Sequence, residues 1–161
     1  LISDKINHTF IIRHPLKTIN SLYKATYNAN NYKQEIGFDK NEIGFSDLLD
    51  IFNYVKNELG QNPIIIDSDD LLLNPELYLK AYCNKVGLPW KPEILKWEKG
   101  IIPKGWEDWQ GWHDDAINSN GLKKRTKIDK HIDSINNELK QYIDDNMQAY
   151  NELCKYKLII E

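Results

Sequence analysis

Cysteine is scarce in these 161 residues: Cys83 and Cys154 are the only two, far apart and without metal-ligand spacing around either. Both fall in stretches with helical periodicity, so buried, reduced thiols and a reducing, cytoplasmic compartment are the expectation. A dominant sign of charge is also missing. Twenty-one basic residues against twenty-four acidic ones leave a net charge of −3. No global basic field therefore points to nucleic acid or a membrane surface, and any anion site must be local. No apolar run approaches the roughly 18 residues of a membrane span, and no signal peptide is visible. Internal repeats are absent. The length suits a single domain with a real core. The chain opens on Leu1 rather than Met, which reads as a processed product or a fragment of a longer domain.

What is present begins with His8–Tyr27, HTFIIRHPLKTINSLYKATY. Phe10, Ile11 and Ile12 form the short apolar run of a strand buried on both faces. Pro15 suits the first position of a following helix, where its missing N–H costs nothing. Arg13 then lies at the carboxyl end of a strand, beside a helix N-terminus, where open α/β folds bind anions. Ser21 follows eight residues later, on the same helix face as Lys17. Two readings fit the spacing. Arg13, Ser21 and Lys17 converge on a phosphate, or Arg13 pairs with a local carboxylate and Ser21 is a tolerated helix residue.

Asn28–Gly44 is polar and Asn-rich and reads as a loop, either an ordinary surface excursion or a substrate lid. Phe45, Leu48, Leu49, Phe52, Val55 and Leu59 recur at helical spacing, with Ser46 as N-cap and Gly60 as stop. Pro63–Asp67 is a second short strand, so a parallel pair joined by a crossover is expected. Asp67, Asp69 and Asp70 crowd its end. Without an adjacent His or second carboxylate cluster they suit turn hydrogen bonds better than metal binding or acid/base work, and no metal is expected. Asn74 and Pro75 open a helix to about Val86, stopped by Gly87 and Pro89.

Trp90–Trp112 carries all five tryptophans. Aromatics this dense line an acceptor pocket or staple short helices onto the sheet. His113 beside Asp114 and Asp115 suggests a base and its orienter, but neighbours on a helix do not face each other. Lys123, Lys124, Arg125 and Lys127 form the one tight basic cluster, a phosphate contact or a solvated run. Ile128–Cys154 is a long amphipathic helix, with Ile128, Ile132, Ile135, Leu139, Ile143, Met147, Tyr150 and Cys154 as its apolar stripe.

In this order the pieces resemble the P-loop sulfotransferase family. IIRHPLKTINSLYKA matches its strand–Arg–helix–Ser signature, with Arg13 and Ser21 at the two positions. PIIIDSDDLLLNPELYLKAYCNKVGLP looks like the family's later strand, acidic turn, Asn-Pro helix start and Gly-ended helix. The likeness is greatest to sulfotransferase-like proteins sometimes labelled as branched-chain-aminotransferase-like, and it covers about Thr9 to Trp90. It implies an α/β fold: part of a P-loop-type parallel sheet flanked by helices, with a mainly helical C-terminal part. It further implies a co-substrate, 3′-phosphoadenosine 5′-phosphosulfate, whose 3′-phosphate Arg13 and Ser21 bind, with Lys17 adding charge. The reaction implied is sulfuryl transfer to a hydroxyl or amine of a small-molecule acceptor, without a metal.

Two family features have no counterpart here. The phosphate loop and the usual catalytic His lie upstream of the signature, whereas LISDKINHTFII contains no glycine and places His8 inside the strand. The resemblance therefore implies activity only when an upstream part of the domain, or another chain, completes the site; the catalytic residue is unassigned. Two alternatives stand beside it. One is a non-catalytic binding or structural module within an assembly. The other is a kinase-like nucleotide enzyme, which requires a phosphate loop and Mg²⁺ ligands, the latter hinted at only by Asp67–Asp70.

Overall fold

Two four-residue strands, β1 (Thr9–Ile12) and β2 (Ile64–Asp67), pair in parallel with Phe10 opposite Ile65 and Ile12 opposite Asp67. They belong to a computed structural model that describes residues 3–29, 40–105, 113–123 and 137–160. Six α-helices surround the pair among those residues: α1 (Pro15–Ala29), α2 (Phe45–Asn57), α3 (Ser68–Leu73), α4 (Pro75–Val86), α5 (Asp114–Ile117) and α6 (Asn137–Cys154). The fold is α/β, as the sequence pattern requires, because parallel neighbours need a long crossover and α2 lies within it.

Strand alternation divides the core between the two faces of the sheet. Phe10, Ile12 and Ile65 pack with Phe52 and Val55 of α2 and Leu153 of α6. Phe10 and Phe52 meet edge to face at 5.6 Å. Val55, Ile65 and Leu153 are wholly buried, each contributing about 1.5–3 kcal/mol over an exposed position. Ile66 faces the other way, onto Tyr78 of α4 and Leu158 of the C-terminal tail. A third cluster joins α1 to α6 through Ile19, Leu139 and Ile143. The amphipathic stripes read for α2 and α6 thus face the core. Leu153, absent from the predicted stripe, is the most buried residue of α6. Ile128, Ile132 and Ile135 lie outside the described residues.

The tail extends the sheet. Lys157 forms a parallel bridge with Ile65, Leu158 N–H donates to the Ile65 carbonyl at 2.7 Å, and the Tyr78 hydroxyl donates to the Leu158 carbonyl at 2.7 Å. One side of β2 is occupied by β1 and the other by this tail.

Four local expectations change. β1 is not buried on both faces: Phe10 and Ile12 are buried but Ile11 is 63 % exposed, because on that face α4 packs over Ile66 of β2 and reaches β1 only at Thr9, through the Tyr82 hydroxyl at 3.4 Å. α1 runs on through Asn28 and Ala29, which the composition assigns to a loop. The N-cap of α2 is Gly44 in a left-handed conformation (φ 60°), one position before the helix begins, and Ser46 lies inside it. Ser68–Leu73 forms a short helix rather than a turn.

Candidate functional site

The carboxyl ends of β1 and β2 lie side by side, and each runs straight into a helix. At the end of β1, His14 closes the start of α1. Its Nδ1 accepts the Leu16 N–H at 3.3 Å, and its carbonyl accepts those of Lys17 and Thr18 at 2.9 and 3.1 Å. Those amides are therefore engaged already. The helix end offers its dipole rather than free N–H donors, and anion binding here falls to side chains.

At the end of β2, the three aspartates each have their own partner. Asp67 is 2 % exposed; its Oδ1 accepts the Asp69 N–H at 2.8 Å and caps α3, while its Oδ2 accepts the Tyr150 hydroxyl at 2.7 Å. Asp69 pairs with Lys17 at 2.9 Å, with both side chains about a tenth exposed. Asp70 pairs with Lys157 at 2.6 Å. The Asx-turn expectation holds for Asp67. Among the described residues no group of His, Cys, Asp and Glu could hold a metal ion.

Arg13 is left over. No aspartate at the strand ends takes its guanidinium, and among the described residues that guanidinium has no hydrogen bond or ion pair. It lines a cavity of about 480 Å³ together with Ser21, Thr18 and Ser68, over apolar walls that include Ile11 and Phe45. The structure thus brings Arg13 and Ser21 together and directs Lys17 away, to Asp69 and out of the cavity lining. Two hydroxyls of this cavity were not picked out by the sequence. Thr18 Oγ1 donates to the Arg13 carbonyl at 3.3 Å and fixes the strand–helix corner. Ser68 Oγ is buried with no hydrogen-bond partner among the described residues. Neither follows from a motif: Thr18 is set by the β1–α1 corner itself, and Ser68 joins the cavity because the end of β2 lies beside that of β1.

Burial and the acidic cluster act together on the ionisable groups around Asp67. The Tyr150 phenol is pushed well above its ordinary range, first by burial and then by its hydrogen bond to Asp67. Tyr78 is raised by burial and the Asp70 charge, and Cys154 by burial. Burial lowers Lys157, but the hydrogen bond and charge of Asp70 outweigh it and the net shift is upward.

The tryptophan segment sits elsewhere. Trp97 Nε1 donates to the Ala116 carbonyl at 3.0 Å, and Trp97, Ile101, Pro103 and Ile117 line a second, apolar cavity of about 380 Å³. Trp97 thus braces α5 rather than the sheet. Trp106, Trp109, Trp112, Lys124, Arg125 and Lys127 lie outside the described residues, as does most of the Asn-rich segment. Lys123 is exposed, and His113 is the N-cap of the four-residue α5. Cys83 and Cys154 are free thiols on α4 and α6. Among the described residues no helix is long and apolar enough to cross a membrane.

Two curated relatives place this geometry in context. Branched-chain-amino-acid aminotransferase-like protein 2 of Arabidopsis thaliana is 30% identical over 122 residues, covering 74% of this chain and 20% of its own length. Branched-chain-amino-acid aminotransferase-like protein 1 of the same plant is 27% identical over 142 residues, covering 84% of this chain and 23% of its own length. The chain spans about a fifth of the length of the curated relatives it matches. No family profile and no solved structure matches it.

Proposed function

We propose that the chain carries the 3′-phosphate half of a donor site for 3′-phosphoadenosine 5′-phosphosulfate, within a protein that transfers the sulfuryl group to a hydroxyl or amine acceptor. The observation that carries this reading is the guanidinium of Arg13, unpaired among the described residues, in a cavity shared with Ser21, while the three aspartates at the end of β2 are engaged elsewhere. A buried or half-buried cation without a counter-ion is costly, and a phosphate relieves that cost. The guanidinium fork matches two phosphate oxygens at once, and the Ser21 hydroxyl supplies a further donor. The apolar walls suit the rest of a nucleotide. Arg13 and Ser21 bind and orient; the chemistry at the sulfuryl group belongs to other residues.

The names of the Arabidopsis relatives favour a second reading, transamination. That chemistry needs a lysine facing its cavity to form a Schiff base. The described residues that line this cavity include Arg13 but no lysine, and Lys17 is tied to Asp69. A non-catalytic module would use the same cavity for binding without turnover.

The test is binding of 3′-phosphoadenosine 5′-phosphate to the 161-residue chain by calorimetry, with adenosine 5′-monophosphate as the comparison lacking the 3′-phosphate. Binding that depends on the 3′-phosphate and weakens by about 10- to 100-fold in Arg13→Ala is expected. Equal binding of the two nucleotides, or affinity unchanged in Arg13→Ala, overturns the assignment.

A further inference from the structure

Ser68 is the first residue beyond β2, as Arg13 is the first beyond β1. Ile12 and Asp67 are the last paired residues of the two strands, so Arg13 and Ser68 leave the sheet side by side, and both line the same cavity. The Ser68 Oγ is withdrawn from solvent and has no hydrogen-bond partner among the described residues. The groups around it are already committed. Asp67 accepts the Asp69 N–H and the Tyr150 hydroxyl, and Asp69 and Asp70 hold Lys17 and Lys157. The Thr18 hydroxyl bonds to the Arg13 and His14 carbonyls. A buried hydroxyl left in this state is costly, and an orphan in a cavity wall calls for a ligand group to answer it.

The two cavity serines differ. Ser21 is exposed, so water serves its hydroxyl when no ligand is bound, whereas the Ser68 hydroxyl is enclosed. They also stand on different elements. Arg13 and Ser21 both belong to the β1–α1 corner, and a phosphate held there is approached from that side. Ser68 comes from the other strand and meets the ligand beside the phosphate. In a ribose 3′-phosphate the group beside the phosphate is the 2′-hydroxyl, on the adjacent ring carbon. That hydroxyl can donate and accept, and so can a serine, so the pair is satisfied in either direction.

We propose that Ser68 is a specificity-determining residue of this site: its hydroxyl bonds to the 2′-hydroxyl of the bound nucleotide and makes the cavity select a ribonucleotide over its 2′-deoxy counterpart. This rests on the donor-site reading and deepens it. The selection comes from an asymmetry of loss. A 2′-deoxy ligand seals the cavity while leaving the Ser68 hydroxyl unanswered, and a site built around a ligand hydroxyl rejects the analogue that lacks it.

The test is calorimetric titration of the 161-residue chain with 3′-phosphoadenosine 5′-phosphate and with 2′-deoxyadenosine 3′,5′-bisphosphate. The parent chain is expected to bind the ribose form about tenfold more tightly. Ser68→Ala should bind the two forms equally, with a melting temperature no lower than the parent's to show that it is folded. Ser21→Ala should weaken both forms alike and keep the preference. A parent without preference, or a preference that survives Ser68→Ala, overturns the proposal. Equal weakening of both forms by Ser68→Ala moves the contact to the phosphate or the base and overturns it too. Binding that depends on Arg13 but not on the 2′-hydroxyl overturns this inference alone. Binding indifferent to the 3′-phosphate overturns the donor-site reading and this inference with it.

Discussion

Tyr150 donates its hydroxyl to Asp67 at 2.7 Å across 83 residues of sequence, tying the last helix to the carboxyl end of β2. The same carboxylate caps α3, so one buried side chain holds three elements in register. Tyr150 also meets His14 edge to face at 5.3 Å, which extends the tie to the end of β1. The cavity around Arg13 is defined by these joints as much as by its own lining.

Removing that hydroxyl should therefore be costly. Tyr150→Phe keeps the ring contacts but leaves a nearly fully buried carboxylate one donor short. A loss of about 1–3 kcal/mol is expected, read from the urea midpoint at unchanged slope. A variant as stable as the parent would show that the bond contributes nothing net.

The raised groups fix the sign of the alkaline response. Tyr150, Tyr78, Cys154 and Lys157 all hold their protons more tightly in the fold than in the unfolded chain. Above about pH 9 the unfolded state loses protons that the native state keeps, so it binds fewer and stability falls. Below that range these groups contribute in full. Melting temperature between pH 7 and 11 is the check, and the decline should be shallower in Tyr150→Phe, which lacks the most strongly shifted group.

Lys17 and Asp69 are each about a tenth exposed, so their pair is close to a buried one. Lys17→Met alone strands a carboxylate and should cost about 3 kcal/mol. Lys17→Met with Asp69→Leu should recover most of that loss, since an apolar pair of similar volume replaces an ion pair at little cost. A double-mutant cycle by denaturant unfolding measures the coupling. Neither substitution removes a hydrogen bond from Arg13.

Ser68 gives the opposite expectation. Its hydroxyl is buried without a partner among the described residues, so Ser68→Ala should leave the ligand-free chain as stable or raise its stability by up to about 1 kcal/mol. A clear loss of stability would mean that the hydroxyl is satisfied in solution, for instance by a bound water.

The sequence by itself determined the α/β alternation, the parallel strand pair and the helix starts at Pro15 and Pro75. Those follow from local chemistry. Phe10–Ile12 and Ile64–Ile66 are short apolar runs that suit strands, Pro15 and Pro75 suit a first helical turn, and α2 repeats its apolar residues at the helical period. Arg13 and Ser21 were legible as a pair because both are placed by one strand–helix corner. Which cation would be free was not legible. Arg13 and Lys17 lie four residues apart beside three aspartates, and nothing in that order says which is neutralised. The pairing of β1 with β2 decides it, by bringing Asp69 to Lys17, while α6 brings Tyr150 to Asp67 and the tail brings Lys157 to Asp70. The exposure of Ile11 was hidden for the same reason. A strand's composition shows that it can be covered on both faces, and only the placement of α4, over β2 and no further than Thr9 of β1, shows that Ile11 is left exposed.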